Sequence, residues 1–181
     1  LGWTVSNQGE NPAQGSWSDS VYLSADGNWD LSDRLLGRVT HTGTLAVGAS
    51  YTAELKDVFV PPLLDGQYRI IVRTDIFDEV YEAADEDNNA RTSADPIEIA
   101  VPELTLGVAT DTTLRAGQAR LYKVNVGAGE TLRFSVNSDA SSAANEVFVR
   151  YGALPDGSSY DAAFETPLQA NQQALIPRTE A

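Results

Sequence analysis

Residues 122–136 read YKVNVGAGETLRFSV. Tyr122, Val124 and Val126 alternate with Lys123 and Asn125. After Gly127-Ala128-Gly129-Glu130 the alternation resumes, with Leu132, Phe134 and Val136 set against Arg133 and Ser135. A period of two puts each set on its own face of an extended chain, and a glycine-bearing link between two such runs predicts a β-hairpin. The pattern repeats outward. Strands are predicted over 2–7, 18–24, 35–40, 50–60, 67–75 and 96–101, then over 104–110, 119–126, 131–137, 145–151 and 169–176. Gly, Pro, Asn and Asp clusters separate them, and only 79–84 reads as a helical turn. Short strands punctuated in this way predict an all-β fold of two tandem β-sandwich modules, spanning 1–101 and 102–181.

The boundary near Pro102 coincides with a change in charge. Residues 1–101 carry 17 acidic and 6 basic groups, against 9 and 6 in residues 102–181. The link between modules is short, which implies nearly rigid coupling. With a net charge of −14 and two lysines, the chain should repel nucleic acid and anionic membrane surfaces, and cations are its natural small partners. The chain has no cysteine, so it has neither a disulfide framework nor a thiolate ligand or nucleophile. No apolar run approaches the roughly 20 residues of a membrane span. Trp3 and Val5 already alternate with Thr4 and Ser6 at the first residues, so the chain is expected to be a piece of a longer protein.

Two acidic stretches carry the chemistry. Residues 24–37, SADGNWDLSDRLLG, hold Asp26, Asn28, Asp30 and Asp33 at positions 1, 3, 5 and 8 of a loop in which Gly27 permits a tight turn. This spacing resembles the first half of a calcium loop, without the bidentate Glu at its end, and it makes these four residues a candidate Ca²⁺ site. The alternative is a hairpin loop whose Asp and Asn side chains accept hydrogen bonds from their own backbone. Residues 75–89 hold seven carboxylates and no Lys or Arg. There Glu79, Glu82, Asp85 and Asp87 form a second candidate cation site, the alternative being a solvated charge run.

Catalysis finds little support. His41 is the only histidine. It lies between Thr40 and Thr42 where the predicted strand ends, and reads as an exposed turn residue rather than a member of a triad. Carboxylates clustered in sandwich loops do not form a glycosidase cleft. Among the tryptophans, Trp3 reads as core, Trp17 as lying just before a strand, and Trp29 as a loop residue able either to anchor its loop or to meet a sugar ring. Phe148, Tyr151 and Tyr160 are expected to frame the second core.

Several phrases in the first hundred residues match, in order, the cell-adhesion-related domain of bacteria called CARDB. They are WTVSNQG from Trp3, GSWSDSVYLSADG from Gly15, LLGRVTHTGTLAVGASY from Leu35 and EVYEAADEDNNA from Glu79. The resemblance implies an immunoglobulin-like sandwich of an extracellular protein, with a further strand ahead of Trp3. The second segment, through GQARLYKVNVGAGETLRFSV from Gly117 and NEVFVRYGALPDGSSYD from Asn145, resembles the bacterial pre-peptidase C-terminal domain. That likeness implies a small jelly-roll-like sandwich continuing beyond the last residues. Together they lead us to expect a non-catalytic module pair of a bacterial surface or secreted protein, acting as an adhesive or spacer stalk. Its partners would be other domains of a longer parent protein and copies of itself paired through open strand edges. The alternatives are the accessory region of a secreted peptidase and a carbohydrate-binding module.

Overall fold

A computed structural model describes residues 1–81 and 88–179. Its strands are β1 (Gly2–Ser6), β2 (Ala13–Ser24), β3 (Arg34–Leu45), β4 (Ser50–Glu54), β5 (Gly66–Arg73), β6 (Ala90–Thr92), β7 (Ile97–Ile99), β8 (Leu132–Val136), β9 (Phe148–Val149), β10 (Ala162–Ala163) and β11 (Gln172–Ile176). Every pairing between strands is antiparallel, and the described residues hold no α-helix. The protein is an all-β chain built on a β-sandwich.

Two compact units divide the chain. The first comprises Leu1–Pro61, Asp65–Ala100 and Arg115–Ala119, and the second Pro62–Leu64, Val101–Leu114 and Arg120–Ala181. In the first unit β1 pairs with β4, and a larger sheet runs β3-β2-β5-β6 with β7 also on β5. β2 is the central strand. From Trp17 onward it reads W-S-D-S-V-Y-L-S, and all of these residues are buried except Ser18, which is half-buried. Its odd-numbered side chains Trp17, Asp19, Val21 and Leu23 point toward the β1–β4 sheet, whereas Ser20, Tyr22 and Ser24 lie on the opposite face. Polar contacts fix this orientation, since Trp3 of β1 and Tyr51 of β4 both hydrogen-bond Asp19.

β2 and β3 begin earlier and end later, respectively, than alternation predicts. Trp17 therefore lies within a strand and is 3% exposed, not ahead of one. The extension pairs Ala13–Trp17 with His41–Leu45 and sets Gly15 opposite Gly43. These glycines have φ of +126° and +135°, a region that side chains avoid, so the glycine pair breaks the alternation that would otherwise have announced the strand.

The predicted hairpin over 122–136 does not form. β8 pairs instead with β11, with Leu132 opposite Ile176 and Val136 opposite Gln172. The link itself is held by Thr179, whose N–H donates to the Glu130 carbonyl at 2.8 Å and whose carbonyl accepts from the Gly129 N–H at 2.8 Å. The other arm lies parallel to 102–104, where the Leu104 N–H donates to the Lys123 carbonyl and the Lys123 N–H to the Pro102 carbonyl. Local alternation could not show that a strand some 40 residues away matches β8 better than its neighbour does. No strand forms over 104–110, and residues 79–81 carry no helical turn. Residues 82–84 lie outside the described residues. In the second unit Phe148 packs against Tyr160 and Phe164, at 5.5 and 5.6 Å between ring centroids. Tyr151 is 65% exposed and does not frame that core.

Candidate functional site

Asp19 is the side chain that alternation marks as misplaced, because it occupies the apolar phase of β2 between Trp17 and Val21. The structure buries it completely. Trp3 Nε1 donates to Oδ2 at 2.7 Å and Thr74 Oγ1 to Oδ1 at 2.5 Å, while the Tyr51 hydroxyl lies 2.9 Å from both oxygens. Trp17 Nε1 in turn donates to the Tyr51 oxygen at 3.0 Å. A buried carboxylate is tolerated only when hydrogen bonds replace its water, and here neutral donors from β1, β4 and the end of β5 supply them. The network joins the two sheets through their polar groups. Burial, reinforced by the charge of Asp19, pushes the Tyr51 hydroxyl up to about 12, so it donates its proton without losing it.

His41 belongs to this cluster. It is not the exposed turn residue that its neighbours predicted. It lies inside β3 opposite Trp17, half-buried, with its ring stacked on Tyr51 at 4.0 Å and 19° and tilted by 40° against Trp17 at 4.5 Å. No hydrogen bond joins the imidazole to a hydroxyl or carboxylate among the described residues. The cluster thus has an acid, a phenol and an imidazole: the phenol donates to the acid, and the imidazole meets the phenol through its ring face.

The first acidic loop closes on its own backbone. Asp26 Oδ1 accepts from the Asn28 N–H at 2.8 Å and from Ser24 Oγ at 3.2 Å. Asp30 Oδ1 accepts from the Ser32 N–H and hydroxyl at 2.7 and 2.6 Å, and Asp33 Oδ2 from the Asp30 N–H at 3.0 Å. The two bonds from Ser32 hold the Asp30 carboxyl below its ordinary range. Gly27, at φ +81°, turns the chain where a Cβ would come within 3.0 Å of Arg69 Cδ. Trp29 anchors the loop: the Arg73 guanidinium lies 3.9 Å from its ring centroid, and Tyr22 meets it edge-on at 6.1 Å.

The second acidic stretch begins on Asp75. That side chain is buried, and its two oxygens accept from the Glu79 and Val80 N–H groups, each at 2.8 Å. Glu79 is described and exposed, whereas Glu82, Asp85 and Asp87 lie outside the described residues. Among the described residues no three His, Cys, Asp or Glu side chains are grouped to hold a metal ion. No described helix is long and apolar enough to cross a membrane.

The two sheets of the first unit and the polar network buried between them define a β-sandwich module. The family model CARDB matches residues 1–93, and the chain belongs to that family. CARDB is a non-catalytic, cell-adhesion-related domain of bacterial cell-surface proteins. No curated protein and no solved structure matches the chain.

Proposed function

We propose that this chain is a non-catalytic extracellular module pair of a larger bacterial surface or secreted protein, acting as an adhesive or spacer stalk. The observation that carries this reading is the Asp19 network. The most reactive-looking residues of the CARDB unit, His41, Tyr51 and Asp19, are committed to holding two sheets together. The test is protease shaving of intact cells that make the parent protein. Release of the module without lysis is the expected result, and its appearance only after lysis would overturn the reading.

Ca²⁺ bound weakly by Asp26, Asn28, Asp30 and Asp33 would stiffen the loop that folds over the larger sheet. Support comes from the committed oxygens: each carboxylate gives one to its own backbone and retains the other. Glu79, Glu82, Asp85 and Asp87 are the second place proposed for a cation. For 102–181, the resemblance of 117–136 and 145–161 to the pre-peptidase C-terminal domain favours a second reading, the accessory region of a secreted peptidase. A catalytic domain in the flanking sequence, in place of further β-modules, would select it.

A further inference from the structure

The free edge of the larger sheet can be assigned residue by residue. The Thr74 N–H donates to the Asn89 carbonyl and the Ser93 N–H to the Ile70 carbonyl, so even-numbered residues of β5 bond toward β6 and odd-numbered ones toward β2. Those odd residues are in register with Ser20, Tyr22 and Ser24, so the even residues of β2 bond toward β5. The Ser18 carbonyl agrees, accepting from the Ile76 N–H on that side. It follows that the odd residues of β2 bond to Gly37, Val39, His41 and Gly43 of β3. The N–H and C=O groups of Arg38, Thr40, Thr42 and Thr44 therefore point away from the sheet. Among the described residues β2 is the only strand partner of β3, and these outward groups take no hydrogen bond there.

An exposed edge of this kind is a template for another strand unless a Lys, a Pro, a bulge or a covering segment guards it. Residues 39–45 read VTHTGTL, with no Lys, Pro or carboxylate, and the bulge in this pairing falls beyond them, between Val21 and Tyr22. Thr40, Thr42 and Thr44 are exposed. In a chain of net charge −14, a stretch without carboxylates is where two copies meet the least repulsion.

We propose that β3 pairs antiparallel with β3 of a second copy of this chain, joining the two larger sheets into one. The register that uses every outward group sets Arg38 against Thr44 of the second copy and Thr40 against Thr42 of the second copy, about a two-fold axis at His41. Such a contact is isologous and closes as a dimer. It goes beyond the stalk reading by naming an edge and a partner.

Sedimentation equilibrium of the 181-residue chain over a range of concentrations is the test. The expected result is a monomer–dimer equilibrium in which Thr40 and Thr42 amides gain hydrogen-exchange protection as concentration rises. Thr42→Pro removes an N–H that no intramolecular bond uses, once in each copy, and should weaken the dimer about tenfold or more. Thr42→Ala, which keeps the backbone groups, should leave it intact. If circular dichroism shows that the proline variant misfolds, the double variant Thr40→Lys, Thr42→Lys asks the same question by charging the edge. Association unchanged by an edge variant that folds would overturn the assignment of β3 while leaving self-association through another edge. A chain monomeric at all concentrations would overturn both.

Discussion

Asp19 and Tyr51 show how a single strand position can determine whether two sheets hold together. Removing the carboxylate in Asp19→Ala leaves the Trp3 indole N–H and the Tyr51 and Thr74 hydroxyls without their acceptor. The expected cost is about 3 kcal/mol, since each buried donor left unmet costs roughly 1–3 kcal/mol and partial relaxation recovers some of it. Chemical denaturation monitored by Trp fluorescence checks this, and a loss below about 1 kcal/mol would show that water replaces the carboxylate. Tyr51 adds a pH dependence. Its folded value is raised from 10.0 to about 12, so the unfolded chain loses the proton first. The stabilisation is complete below pH 10 and declines as pH rises from 10 toward 12, because ionised Tyr is favoured only in the unfolded state. Tyr51→Phe should flatten that alkaline limb relative to the native chain. An unchanged limb would assign it to other tyrosines.

At the scale of the element, the pairing of β8 with β11 depends on Gln172, which is 1% exposed. Its Nε2 donates to the Thr166 carbonyl at 2.5 Å and the Gln169 carbonyl at 3.0 Å, while Oε1 accepts from the Thr166 hydroxyl at 3.1 Å. The side chain thereby ties down the turn that delivers β11 to β8. Gln172→Leu is similar in size but cannot make these bonds, and should cost about 1–3 kcal/mol. Hydrogen exchange locates the effect: amides of 132–136 and 172–176 should exchange faster, with β2 and β5 unaffected. Faster exchange throughout the chain would instead mean that the substitution perturbs both units.

Charge acts on the whole molecule. Against 26 acidic residues the chain sets 12 basic ones, and the ion pair of Lys56 with Glu54 at 3.4 Å is exposed. Added salt should raise the melting temperature by screening this self-repulsion. A cation bound to Asp26, Asn28, Asp30 and Asp33 should do more. At fixed ionic strength, millimolar Ca²⁺ is expected to melt the chain at a higher temperature than chelator does, by mass action on the folded state. Asp30→Ala with Asp33→Ala should abolish the difference. Equal melting temperatures with and without Ca²⁺ would remove calcium from the proposed function.

The all-β class, the course of β1 and β5, the later half of β2, and the self-bonded turn at Asp26 and Asp30 were legible from residue order, because alternation and Asx turns act between near neighbours in the chain. Asp19 was missed, although a carboxylate between Trp17 and Val21 in alternating sequence was a signal that could have found it. His41 was not legible. Its burial comes from Trp17 and Tyr51, which reach it across strand pairings, and Gly43 hides the strand in which it lies. The hairpin over 122–136 failed for a related reason. Alternation fixes which face of a strand a residue occupies but not which strand lies beside it, and β11 became the partner of β8 only when the tertiary fold brought Gln172 and Thr179 alongside.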